Sequence, residues 1–408
     1  MKTISGNSFI KIDQDKIKLD NFYLDGILKI SKTPFMIILE NRIRSNIETF
    51  NTVFRTFFGE KYHGFYSFKA NFLPEVCSII NSEKFGAEVI SLGELELALR
   101  LGFPSNKIIA GGPYLNSDFI HKAIQSNVRE IVVYNMSDLA KVNNIALTFN
   151  KVQNICLRVN SNKYGSRLGI NIDGSNSLKL KKVIENSRFI KVTTVLSHFS
   201  TQMNNFEQFR KNLNTLINAK KSLAKSGIFI DKINLGGGFP EAVIMPKKQL
   251  EIIASKLKNL IESANLKYKE VYFEPGRYLV GDAGIFVAKI INSQSDRWIS
   301  LNLGTNICPK FARCSLRFYN ASFINSAHKY KTSITGNVPT DQDVLVKDYF
   351  FTNRINEGDL VLITNVGAYT LTFSNRFPYA LPPIYKINDS ELVKIFDPQI
   401  DRDFSIIV

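Results

Sequence analysis

FYSFKAN, residues 65–71, runs an aromatic-rich apolar stretch straight into a lysine, Lys69. Taken alone, such a lysine is simply the first solvated residue after a strand. Its surroundings in the sequence suggest more. From about residue 36 to 285 the chain alternates short β-branched or aromatic runs with longer segments of helical period, the pattern of repeated βα units. The runs GFYSFKA, AEVIS, KIIAGG, EIVVYN, NICLRVN, VTTVLSHF, KINLGGG and EVYFEPGR end at Lys69, Ser91, Gly111, Asn135, Arg158, His198, Gly236 and Glu274. Between them, segments such as LGELELALRLG and PKKQLEIIASKLKNLIESAN repeat apolar residues at helical spacing, as helices covering a parallel sheet do. Eight such units predict an α/β fold of TIM-like (β/α)8 type. In that architecture the eight strand ends converge on one mouth, where reacting groups sit. A doubly wound open sheet competes, but it has no need of chemistry-bearing ends on all eight strands.

Working outward, the rhythm changes after residue 285. GIFVAKIINSQ, WISLNLG, DVLVKDYFF and DLVLITNVGAYTL are short alternating runs separated by turn residues, and they predict a β-rich domain. The expected organisation is a barrel over 36–285 and a β-rich domain formed by 1–35 with 286–408, FYLDGILKI of the amino-terminal part contributing a strand. A chain of 408 residues accommodates two such domains, each with its own core.

Composition excludes several classes of function. No apolar run approaches the roughly 20 residues of a membrane-spanning helix, and MKTISGNSFIKIDQDKIK has no secretory core, so a cytoplasmic protein is expected. Cys77, Cys156, Cys308 and Cys314 show no C-x-x-C spacing, and the four histidines form no H-E-x-x-H, which argues for reduced thiols and against a metal. The formal charge of +16 attracts anions in general, but the lysines are scattered and not interleaved with aromatics, so no nucleic acid partner is expected.

The strand ends together define a chemistry. Gly236, Gly237 and Gly238 follow a strand and let successive backbone N–H groups close on an anion such as a phosphate. Arg277, three residues after Glu274, adds a guanidinium for the same anion. His198 supplies a flat ring, with the hydroxyl of Thr201 three positions on. Read singly, Glu274 with Arg277 is a local ion pair and His198 a core histidine. Read jointly, they fit a phosphorylated pyridine aldehyde, pyridoxal 5'-phosphate (PLP). Lys69 would form the Schiff base with the aldehyde, and Glu274 would keep the ring nitrogen protonated so that the ring withdraws electrons from the substrate Cα.

These residues also stand in motifs that resemble the fold-type III PLP-dependent decarboxylases, the ornithine, diaminopimelate and arginine decarboxylase group. YSFKAN is similar to the lysine motif of that family, GAEVISLGELELAL to its G-x-E-V-x-S-x-G-E-L segment, and SHFSTQ to H-x-G-S-Q with Thr201 in the serine place. LGGGFP and EPGR match its phosphate loop and ring-nitrogen motif, and GAYT puts Tyr369 where a tyrosine meets the phosphate. The resemblance spans nearly the whole chain. It implies a coenzyme site made of Lys69, Arg158, His198, Thr201, Gly236, Gly237, Gly238, Glu274, Gly276, Arg277 and Tyr369, with Lys69, His198 and Glu274 catalytic. It also implies a homodimer whose β-rich domain completes the partner's barrel, acting on a small amino-acid-type substrate.

The substrate end departs from the family. Aligning GNVPTDQDVL with G-P-x-C-[DE]-x-x-D matches Gly336 and Asp343, but puts Pro339 and Thr340 in the cysteine and acid places, leaving Cys308 and Cys314 as candidate proton donors. RFYNAS offers Asn320 after Tyr319, where ornithine-type enzymes have an acid for the far ammonium group. Arg313, Arg317, Tyr319 and Thr340 are the candidate substrate contacts. With Arg313 and Arg317 nearby, a carboxylate-rich amino acid or conjugate is expected, as in siderophore and other natural-product pathways. A racemase or epimerase remains an alternative, since GSRLGIN resembles the R-L-G segment of alanine racemases. A non-catalytic regulatory homologue remains another.

Overall fold

The computed structural model describes residues 1–161, 166–309 and 314–401. These divide into two compact units, one of 47–240 with 244–276, the other of 1–46, 241–243 and the described residues from 277 onward.

The first unit is a closed barrel of eight parallel strands: β1 (Tyr62–Ser67), β2 (Gly86–Val89), β3 (Ile108–Gly111), β4 (Glu130–Val133), β5 (Gln153–Arg158), β6 (Ile190–Leu196), β7 (Lys232–Asn234) and β8 (Glu270–Phe273). Every strand pairs with its neighbours in chain order, and β8 closes on β1 through Val271 opposite Tyr62. All eight coincide with the runs read from the sequence, and the open-sheet alternative is excluded by closure. Phe65, Ile109, Val132, Cys156, Leu196 and Tyr272 fill the interior and are 4% exposed or less. Outside the strands, Phe50 and Phe54 of the helix Glu40–Phe58 pack on Phe239 and Phe273, with the Phe54 and Phe273 ring centroids 4.2 Å apart. Burying such rings contributes roughly 1.5–3 kcal/mol each, which pins the helix to the barrel wall.

Two of the eight strand ends are helix caps. Ser91 Oγ accepts from the Glu94 N–H, and Asn135 Oδ1 accepts from the Asp138 N–H, so each opens the helix that follows.

The second unit is β-rich. Lys2–Ile4, Asn7–Asp13, Lys16–Leu19 and Phe22–Tyr23 form a four-stranded antiparallel sheet. A larger sheet, nine-stranded among the described residues, is centred on Gly284–Ser293. Here the structure differs from the sequence reading in three places. Residues 277–285, counted with the barrel, belong to the β-rich unit, because Gly284–Ser293 is the central strand of its larger sheet. Phe35–Leu39, all but Phe35 of it counted with the barrel, pairs instead with Gly284–Ser293 and Ile384–Ile387 of the larger sheet. Of FYLDGILKI only Phe22–Tyr23 is strand, because Leu24–Leu28 forms a helical turn that buries Leu24 and Ile27.

Candidate active site

Lys69 lies in a 3-10 turn, Phe68–Ala70, that leaves β1. Tyr66 locks this turn by donating its hydroxyl to the Asn71 carbonyl at 2.8 Å, while Asn71 Oδ1 accepts from the Leu73 N–H. Ser67 and Glu88 stand opposite one another on β1 and β2, so both side chains meet the lysine. Lys69 Nζ donates to Glu88 Oε2 at 2.5 Å and to Ser67 Oγ at 2.8 Å, and Ser67 donates to the same carboxylate. Lys69 is half-buried, and its amine is tied to the barrel instead of hanging free like the first residue past a strand. It is held by a carboxylate that is itself only 7% exposed, and a charge-assisted contact of this kind fixes the amine in place.

The second acid, Glu274, follows β8 and is also buried. Burial lifts its carboxyl to about 7 and the nearby charge of Glu88 adds to that, against Lys69, the Asn234 amide and Arg158. Asn234 Nδ2 donates to Glu274 Oε1 at 2.7 Å, and Asn234 Oδ1 accepts from the Gly236 N–H at 2.8 Å. A single amide thus ties the acid to the glycine turn. Gly237 runs so close to the chain after β8 that an added Cβ would stand 2.3 Å from the Glu274 carbonyl; only glycine fits there. Gly238 accepts the Met203 N–H through its carbonyl. Gly276 packs against Ser67 and Ala70 of the lysine turn. His198 follows β6, its Nδ1 lying 3.1 Å from where a Cβ on Gly236 would be, so the ring borders the glycine turn. Thr201, nearby in the chain, is exposed. Arg158, at the end of β5, stacks on the Tyr134 ring and donates to its hydroxyl at 2.8 Å.

The β-rich unit carries the remaining candidates. Arg277 is 3% exposed, donates Nη1 to Glu241 Oε1 at 3.2 Å and lies over the Tyr369 ring at 4.9 Å. Its Nε and Nη2 have no protein acceptor among the described residues. Two buried guanidinium nitrogens without an acceptor are costly to desolvate, and a phosphate supplies the acceptor they need. On this ground the residues present fit PLP.

At the substrate end, Arg317 and Tyr319 both hydrogen bond to Ser5 Oγ, at 3.3 and 3.0 Å. Thr340 is exposed, and Arg313 lies outside the described residues. Asn320 is buried and donates to Thr352 Oγ1 and the Arg354 carbonyl, a structural role that removes it from substrate contact. Asp343 is likewise structural, accepting from the backbone of Thr305 and Val338. Cys308 is wholly buried, and Cys314 Sγ donates weakly to the Pro309 carbonyl at 3.9 Å.

Sequence reasoning did not single out Ser67, Glu88, Asn234 or Glu241. Glu88 carried a signal: it is a lone charge in the apolar run GAEV, and the cost of burying an isolated carboxylate demands a cation. Glu241 is separated from Arg277 by 36 positions and gave no local signal.

Residues 40–281 match the family described as pyridoxal-dependent decarboxylase, pyridoxal binding domain, and the chain belongs to that family. It is a PLP-dependent carboxy-lyase of the amino-acid decarboxylase type, with the fold-type III architecture described above. Among characterised relatives, the diaminopimelate decarboxylase of Methanocaldococcus jannaschii is 25% identical over 90% of this chain and 90% of its own length. The L-glutamyl-[BtrI acyl-carrier protein] decarboxylase of Niallia circulans is 26% identical over 88% of this chain and 89% of its own. The crystal structure of the M. jannaschii enzyme superposes with a TM-score of 0.87 at 22% identity, covering 97% of this chain and 96% of that one, a likeness of fold. No helix among the described residues is long and apolar enough to cross a membrane.

Proposed function

We propose that this chain decarboxylates an α-amino acid whose far end carries carboxylate or amide groups, free or joined to a larger acid or carrier, in siderophore or related natural-product chemistry. When bound, PLP supplies an electron sink for the pair left on Cα as CO2 departs. The chain's own residues set up that step. Glu88 and Ser67 orient the Lys69 amine. Glu274, held by Asn234, is the acid that holds the proton at the ring nitrogen, and this favours carbanion chemistry. His198 offers a stacking face, and by the family resemblance the glycine turn, Thr201, Arg277 and Tyr369 hold the phosphate. The resemblance likewise supports a homodimer in which the β-rich unit faces a partner's barrel.

The observation that carries the choice of substrate is the surroundings of Thr340. It lines a cavity of about 830 Å³ with Asn306, Gln342, Asn375 and Arg376, and no carboxylate is among the lining residues. An ammonium-ended substrate such as lysine or ornithine would bring a charge with nothing to pair it. A carboxylate or amide end meets an arginine and amide groups. The glutamyl-carrier decarboxylase among the relatives acts on a conjugate, which is in keeping with a cavity of this size.

Measuring CO2 release across lysine, ornithine, meso-diaminopimelate, glutamate and amino acids conjugated to citrate or to a carrier tests the reading. Carboxylate-ended or conjugated substrates are expected to exceed the two diamines in kcat/KM by at least tenfold. Faster turnover of lysine or ornithine overturns it, and loss of optical activity without CO2 release assigns a racemase instead.

A further inference from the structure

The barrel has a second pocket, at the end opposite the mouth. It is a cavity of about 280 Å³ at the starts of β1 to β4, whose wall includes Asn51, Arg55, His63, Lys84, Lys107 and Arg129. His63 is the second residue of β1, Lys107 immediately precedes β3 and Arg129 immediately precedes β4, so the strand starts themselves gather these basic side chains. No carboxylate is among the lining residues.

These cations are unequally compensated. Arg129 binds Glu270 Oε2 at 2.5 Å and donates to the Tyr272 hydroxyl at 2.9 Å, and Lys232 beneath it reaches Glu130 and Glu270 at 3.3 and 3.5 Å. That pair of acids neutralises the floor. Arg55, Lys84 and Lys107 take part in no ion pair among the described residues, and Lys107 donates only to a neutral acceptor, the Lys84 carbonyl at 2.9 Å. The three charges feel one another: burial pulls the Lys107 ammonium below its ordinary range, and Lys84 and Arg55 push it further in the same direction. Asn51, which accepts the Tyr62 hydroxyl, adds an amide donor to the wall. Arg55 and Lys84 are exposed and Lys107 is half-buried, so three like charges meet at the rim of a cavity and raise the local concentration of anions there.

We propose that this pocket binds a small phosphate-bearing polyanion, a diphosphate either free or carried on a nucleoside. Three uncompensated cations match the charge of a diphosphate at neutral pH, lysine and arginine suit phosphate oxygens, and the cavity falls just under the roughly 300–1,000 Å³ of pockets for larger ligands. The site is separate from the coenzyme's glycine turn, which lies past the opposite ends of the strands. It does not depend on the substrate proposed above.

Calorimetric titration of the PLP-loaded protein with inorganic pyrophosphate and, separately, with ADP tests this, at ionic strength held constant with sodium chloride because screening alone weakens such binding. Saturable binding of one equivalent is expected, weakened at least tenfold in K84Q/K107Q and in R55Q. Decarboxylase kcat without added anion is expected to be unchanged in all of them. Tighter binding of ADP than of pyrophosphate assigns a nucleoside-borne diphosphate, and equal binding a free one. No saturable binding of either anion, binding unaltered in the variants, or affinity for polynucleotide alone overturns the proposal. Should K84Q/K107Q fail to fold, R55Q, altered at an exposed side chain, decides the matter.

Discussion

Glu270 and Glu274 stand at the two ends of one barrel strand and are driven in opposite directions. Burial alone would raise Glu270, but the Tyr272 hydroxyl and the charges of Arg129 and Lys232 together outweigh it and hold the carboxyl at about 2. Burial of Glu274 is not outweighed, Glu88 reinforces it, and the carboxyl rises to about 7. Only three residues lie between an acid held ionised and one whose proton is available near neutral pH. The difference lies in the company each keeps. The foot of the barrel surrounds its acids with cations and hydroxyls, as a structural network does, whereas the mouth sets two acids around one lysine and leaves the balance to a ligand. Shifted groups of the second kind mark a working site.

The sharpest way to break this comparison is at the mouth. Lys69→Ala is expected to abolish the visible absorption of the coenzyme-loaded protein and lower decarboxylation by about 10³-fold or more; an unchanged spectrum would remove the lysine from the chemistry. Glu274→Gln should lower kcat by about 10²-fold with little change in KM, since the acid acts on the coenzyme ring and not on substrate binding. Glu270→Gln should do the reverse, leaving kcat near wild type while costing roughly 2 kcal/mol of stability by stranding Arg129 and Lys232; thermal denaturation alongside kinetics reads both. Equal kinetic effects from the two variants would erase the distinction between foot and mouth.

A smaller effect concerns Glu94, which is buried and whose carboxyl is raised to about 7, by burial first and then by Glu88, against the Ile90 N–H and Lys69. Its value in the folded chain lies above its ordinary value of 4.5. Its contribution to stability is therefore complete below about 4.5 and is lost as pH rises through about 7. Glu94→Gln preserves an acceptor for the Ile90 N–H. Melting curves should show the wild type losing stability relative to this variant between pH 4.5 and 7, by at most about 3 kcal/mol. A constant difference across that range would mean Glu94 does not titrate there.

The barrel was legible because parallel strands buried on both faces read as unbroken apolar runs, and their polar ends marked the mouth. Lys69, Glu274 and the three glycines announced themselves by interrupting that pattern. Phe35–Leu39 misled for the same reason: five fully buried residues look alike in whichever sheet they lie. Ser67 and Asn234 were hidden because a small polar residue inside a strand is ordinary until its cross-strand neighbour is known. Asn320 could be read by position as a replaced acid, but not as a tie to Thr352 and Arg354, which only folding brings to it.

The Asn234 side chain grips Glu274 with one hand and the backbone at Gly236 with the other. In the proposed site it works as a ruler between the two poles of the coenzyme, its pyridine and its phosphate. With PLP bound, one amide would join the acid that serves its ring nitrogen to the turn that serves its phosphate, and a change at residue 234 would be felt by both.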